Sequence, residues 1–240
     1  MSAVDSVNQA WSADKLAATI DHTLLKPEAT AADIGRLCEE AIKHRFFAVC
    51  VNPIYVSEAA RILGASPVRV CTVAGFPLGA TRTDIKVEEA RRAIGEGAAE
   101  VDMVLWVGGL KARRTDLVRL DIEAVASACH TGKALCKVIL ETCLLSPAEK
   151  ETACRLCIEA GADFVKTSTG LNSAGATVED VRLMSRCVSG RGLGVKAAGG
   201  IRTLASALAM LSAGATRIGT SNSVAILRET IAALERDPDE

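Results

Sequence analysis

The chain has 240 residues, 49% of them hydrophobic and 24% charged, and a net charge of −1. That balance belongs to a globular protein with a sizeable core, and it gives no electrostatic reason to expect nucleic acid or an anionic membrane as partner. No apolar run is long enough to span a bilayer, and the opening residues lack the basic-then-apolar order of a secretory signal, so a cytoplasmic protein is expected.

Short apolar runs alternate with amphipathic stretches along the whole length. Strands are expected at 18–22, 46–52, 68–74, 100–107, 134–141, 163–167, 194–198 and 217–220. Each is rich in Val, Ile, Cys or Ala and bounded by Gly, Pro or polar residues, as buried parallel strands are. After the third run, TRTDIKVEEARRAIGEGA predicts a helix with Ile85, Ala90 and Ile94 turned inward and a glycine stop. After the fifth, SPAEKETACRLCIEAGA predicts a helix with Ser146 as N-cap, Pro147 at its first position, Glu149 at its third and Gly161 as its stop. Residues 235–240, ERDPDE, are expected to fray.

Eight strand–helix units in 240 residues is about 30 residues each, the size of a (β/α)8 TIM barrel. A single barrel domain over 1–240 with a short N-terminal helical extension is therefore expected. The alternative, a doubly wound open sheet, lacks a G-x-G-x-x-G after its first strand.

Nine cysteines are scattered along the chain, and Cys154 and Cys157 form the close pair. With no second pair or nearby histidine, they read as reduced core residues rather than a disulfide framework or metal site. His44 and His130 fall at helix ends, away from the strand tips, so no metal is expected.

Strand alternation raises a sharper point. Asp21 and Thr23 share one face, as do Asp102 and Val104. So do Lys137, Ile139 and Glu141; Phe164, Lys166 and Ser168; and Lys196 and Ala198. If these faces line the barrel, one cavity holds Asp21, Asp102, Lys137, Lys166 and Lys196. A lone Lys–Asp pair reads as an ion pair that holds the fold. Three lysines on three strands favour function, because buried charges add little stability over apolar packing. Crowding and desolvation both lower a lysine pKa, and a free amine attacks carbonyls to form a Schiff base.

Two late loops are glycine-rich, KAAGGIRTLASA through Gly199 and Gly200, and RIGTSNSVAIL through Gly219 and Ser221. In barrels these loops and a helix start often hold phosphate. Gly170 adds a third backbone donor, and Arg202 stands where it would face the anion.

IDHTLLKP, VCVNP, VAGFPLG, EVDMV, KVILET, FVKTSTG, GVKAAGGIR and RIGTS together resemble the motifs of the deoxyribose-phosphate aldolase family, in family order over residues 18–223. The resemblance implies a metal-independent class I aldolase, without cofactor. Such an enzyme reversibly cleaves 2-deoxy-D-ribose 5-phosphate to glyceraldehyde 3-phosphate and acetaldehyde. It implies Lys166 as the Schiff-base nucleophile, Lys196 as the neighbour that lowers its pKa and joins the proton relay, and Asp102 as the proton shuttle. Asp21, Thr23, Cys50, Lys137 and Thr169 join as substrate-binding residues, with Cys50 open to unsaturated aldehydes. Gly170, Gly199, Gly200, Arg202, Gly219 and Ser221 form the phosphate site. Two departures stand out: Leu171 replaces a lysine found after KTSTG in some members, and no tyrosine ends the chain. A homo-oligomer, dimer or tetramer, is expected. The competing readings are a barrel isomerase, another Schiff-base enzyme such as a transaldolase, and a sugar-phosphate-binding protein without catalysis.

Overall fold

The structure, a computed structural model, describes residues 11–234. The expected fraying at 235–240 lies outside the described residues. Eight parallel strands close into a barrel in chain order. They are β1 (Ile20–Leu24), β2 (Ala48–Val51), β3 (Arg69–Ala74), β4 (Glu100–Val104), β5 (Leu135–Ile139), β6 (Phe164–Lys166), β7 (Gly194–Ala198) and β8 (Arg217–Thr220). β1 pairs with both β2 and β8, which removes every sheet edge.

The helices are α1 (Ala13–Ala17), α2 (Ala31–His44), α3 (Val56–Leu63), α4 (Thr83–Gly95), α5 (Val107–Lys111), α6 (Thr115–Thr131), α7 (Pro147–Glu159), α8 (Val178–Val188), α9 (Leu204–Ser212) and α10 (Ser223–Leu234). The expected helical extension is the five-residue α1, which packs against α10 and ties the start of the barrel to its end. Ser146 and Glu149 form the expected capping box at α7, and Thr30 with Asp33 and Thr203 with Ser206 repeat it at α2 and α9. Among the described residues no helix is long and apolar enough to cross a membrane.

Six strands differ from the sequence expectation in their bounds. β1 starts two residues late and runs to Leu24; β2, β3, β4, β5 and β6 are shorter than expected. Val107, expected to end a strand, opens α5. Hydrophobic runs overshoot strands because apolar residues also fill the loops that pack under the helices. Glu141, expected on the face of Lys137, sits past β5 in a left-handed turn (φ 55°) that breaks the alternation.

The apolar core lies between strands and helices, with Val49, Val101, Val138 and Val165 facing Ile34, Ile122 and Met184. Inside the barrel the apolar cluster is small: Ala48, Cys50, Cys71 and Val73, with Leu25. Buried charged side chains share that interior with it.

Candidate active site

Asp21 (β1), Glu100 and Asp102 (β4), Lys137 (β5), Lys166 (β6), Lys196 (β7) and Arg217 (β8) are all buried in the barrel. The register sets Asp102 beside Lys137 and Lys166 beside Lys196. Asp102 is the hub. Its Oδ1 accepts from Lys137 Nζ at 2.7 Å, and its Oδ2 accepts from both Lys166 and Lys196 at 2.8 Å. Lys196 also donates to Asp21 Oδ2 at 2.5 Å. Arg217 donates to Asp21 Oδ1 at 2.8 Å and to Glu100 Oε2 at 3.0 Å, and Lys137 Nζ lies 2.6 Å from that same Oε2.

These contacts decide the charges. Burial pushes the Asp102 carboxyl up, but Lys137, Lys166 and Lys196 together hold it well below the usual carboxylate range. Burial raises Asp21 too, and Lys196 and Arg217 still bring it down to about 2. Burial lowers Lys196, but Asp102 and Asp21 outweigh it and hold the ammonium above its ordinary value; Asp102, Cys71 and Glu100 do the same for Lys137. Crowding among lysines therefore loses to the carboxylates at these two positions. Cys50, Cys71 and Asp102 bring metal-type donor atoms within 4.8 Å of one another. Lys137 Nζ sits against that set, 3.3 Å from Cys71 Sγ, so the chain's own cation serves these donors.

A cleft of about 300 Å³ opens above this cluster, at the C-terminal ends of β1, β6, β7 and β8. Barrel active sites are built at that end. A wider hollow of about 790 Å³, between Arg82 and Trp106, includes none of the buried lysines of the barrel and is set aside on that ground.

The glycines of the cleft have steric reasons of their own. Gly199 (φ +92°) lies so close to Gly175 that a Cβ would sit 2.9 Å from its Cα, and this lets the loop after β6 fold over β7. A Cβ on Gly219 would come within 3.1 Å of Lys196 Cε, so Gly219 makes room for that lysine's stem.

A family model described as DeoC/LacD family aldolase matches residues 15–233. The chain belongs to the DeoC/LacD aldolase family. It is 56% identical over 208 residues to the deoxyribose-phosphate aldolase of Brevibacillus brevis, covering 87% of this chain and 93% of that one. It is 56% identical over 214 residues to that of Thermococcus gammatolerans, covering 88% and 95%. The tetrameric deoxyribose phosphate aldolase structure from Aeropyrum pernix superposes with a TM-score of 0.88 at 32% identity, over 97% of this chain and all of that one.

In this aldolase the cleft collects Thr23, Lys166, Thr169, Gly170, Gly199, Gly200, Arg202, Gly219 and Ser221 from the sequence-predicted set. Asp21, Cys50, Asp102, Lys137 and Lys196 lie below its floor, each buried and none lining it. Glu141 does not join the lysines; its carboxylate accepts from the Thr169 hydroxyl at 2.5 Å and from the Thr169 N–H at 3.3 Å. The sequence reading missed Glu100 and Arg217. Their signal was alternation carried to the first residue of each strand, since Glu100 shares a face with Asp102 and Arg217 with Gly219. It also missed Lys26 and Asn222, which line the cleft mouth.

Proposed function

We propose that this aldolase reversibly cleaves 2-deoxy-D-ribose 5-phosphate to D-glyceraldehyde 3-phosphate and acetaldehyde through a Schiff base on Lys166. The observation that carries the reading is the asymmetry of the three lysines buried inside the barrel. Lys166 alone lines the cleft, and its Nζ lies 2.8 Å from Asp102. The curated relatives that carry the name deoxyribose-phosphate aldolase supply the substrate.

The unprotonated Nζ of Lys166 attacks the C1 carbonyl, and the carbinolamine loses water to give an iminium. The iminium draws electrons from the C2–C3 bond. Loss of the 3-hydroxyl proton breaks that bond, releases glyceraldehyde 3-phosphate and leaves an enamine on Lys166. Protonation at C2 and hydrolysis then release acetaldehyde. The iminium is the electron sink, so the scheme uses no metal and no cofactor.

Asp102, in contact with the lysine nitrogen, relays protons to and from it. Lys196 carries the neighbouring positive charge and the next link of the relay. Thr23 and Thr169 contact substrate from the cleft wall. Asp21, Lys137 and Cys50 support that surface from below its floor. Gly170, Gly199, Gly200, Gly219 and Ser221 present backbone to the phosphate at the start of α10, with Arg202 as a cation. Lys26 adds a second cation at the mouth, where Leu171 offers none. The proposal extends to one domain over residues 1–240, a cytoplasmic place in deoxyribose phosphate catabolism, and a homodimer or homotetramer, in line with the tetrameric relative.

Borohydride added during turnover of acetaldehyde should fix an ethyl group on Lys166, read by peptide mass spectrometry, and Lys166→Ala should abolish it. An adduct on Lys196 would exchange the two roles. No adduct on either, or no acetaldehyde released from deoxyribose 5-phosphate, would end the proposal.

A further inference from the structure

The ion pairs inside the barrel close on themselves. Arg217 reaches Glu100 at 3.0 Å, Glu100 reaches Lys137 at 2.6 Å, and Lys137 reaches Asp102 at 2.7 Å. Asp102 then meets Lys196 at 2.8 Å, Lys196 meets Asp21 at 2.5 Å, and Asp21 returns to Arg217 at 2.8 Å. Three cations alternate with three carboxylates, and each cation lies between two carboxylates. Lys166 is outside the ring. It touches one ring carboxylate, Asp102, from the cleft side.

Other titratable groups stand around Lys166. Cys50 and Cys71 are free cysteines on β2 and β3; burial holds the Cys71 thiol well above its ordinary value, whereas the hydrogen bond with Cys71 lowers that of Cys50. Glu141 is turned onto Thr169. Arg69 approaches Glu100 from below at 3.6 Å, but it is half exposed and screened by water.

We infer that Glu100 and Arg217, which open their strands at the end of the barrel remote from the cleft, are positioning residues for the aldol reaction: they complete a neutral ring and make Lys166 the supernumerary cation. The inference rests on the Schiff-base reading of Lys166. A buried cluster with one excess charge is costly in a low dielectric and reaches neutrality by losing one proton. Lys137, Lys196 and Arg217 are each held by two carboxylates, so the proton that leaves is the one bound outside the ring. Groups this close titrate together, so the apparent value belongs to the cluster.

The ascending limb of kcat/KM against pH reports that ionisation in the free enzyme. Glu100→Gln leaves four cations on two carboxylates, which favours proton loss and moves the limb to lower pH. Arg217→Gln leaves three on three, which opposes proton loss and moves it to higher pH. Each shift is on the order of one pH unit, as for a single nearby charge. The double variant restores the single excess charge and returns the limb toward its wild-type position. A merely structural role would produce neither opposite shifts nor this return.

Borohydride trapping on the same proteins separates the two levels of the argument. Opposite shifts with an adduct on Lys166 support the inference. An adduct on Lys166 with unshifted limbs, or with both limbs moved the same way, overturns it and leaves the Schiff base standing. No adduct on Lys166 in the wild type overturns both. Should Arg217→Gln fail to fold, the near-isosteric Glu100→Gln decides alone, and a limb that stays or moves to higher pH overturns the inference.

Discussion

Lys86 sits one position from Ile85, and the two have exchanged the places their chemistry suggests. Ile85 is 46% exposed, whereas Lys86 is fully buried. Lys86 Nζ donates to Asp121 Oδ2 at 2.6 Å and to the Val104 carbonyl at 3.0 Å, pinning α4 to α6 and to the end of β4. Gly75 makes this possible: a Cβ there would stand 2.9 Å from Lys86 Cε. Breaking one side of such a pair strands the other charge in the interior. Asp121→Asn is expected to cost about 3 kcal/mol or more, read as a lower urea midpoint, with Lys166 still trapped by borohydride. Cys154 and Cys157 follow the plainer rule for buried side chains. Burial raises both thiols far above their ordinary value, which makes them packing groups rather than redox groups.

Individual elements are set by local chemistry and then trimmed by their neighbours. The Ser146 hydroxyl accepts from the Glu149 N–H while the Glu149 carboxylate accepts from the Ser146 N–H, so α7 begins where its sequence says. Ser146→Ala should lower stability by about 1 kcal/mol, measured by thermal melting, without altering kcat. β6 shows the trimming. Its ladder ends at Lys166, yet the Thr167 N–H still donates to the Lys196 carbonyl at 3.0 Å, and the Thr167 side chain adds two bonds of its own. The hydroxyl donates to the Ala198 carbonyl and accepts from the Ala198 N–H, both at 3.0 Å. That clasp holds Lys166 and Lys196 side by side while freeing the backbone after Thr167 to turn into the cleft. The segment VKTST carries the apolar and β-branched signal of a strand, but not the place where side-chain hydrogen bonds join the backbone ones.

At the scale of the whole molecule, the barrel is closed by strands and filled by charge, so acid should act on its centre. Asp21 is held at about 2, below its ordinary 3.8, and Asp102 is also held low. A depressed carboxylate stabilises the fold above its unfolded pKa and loses that contribution as pH falls through the folded one. Asp21 alone is worth on the order of 2 kcal/mol near neutral pH. The urea midpoint should therefore fall between about pH 4 and pH 2. Asp21→Asn should be less stable at pH 7 and flatter across that window. A midpoint equally steep in wild type and variant would contradict this account.

Residues close together in the chain set the strand–helix repeat, the capping box of α7 and the face on which Asp21, Asp102, Lys137, Lys166 and Lys196 fall. Each follows from neighbours a few residues apart, through side-chain alternation, turn chemistry and hydrophobic period. Tertiary structure alone decided the closure of β8 onto β1 and the depth of each charge below the cleft. It also decided the inward turn of Lys86 in place of Ile85 and the exit of Glu141 from the lysine face. Those outcomes depend on side chains as far apart as Asp21 and Arg217, which meet only when the first and last strands pair. Their charges are balanced across the barrel, and no local pattern in the chain records that balance.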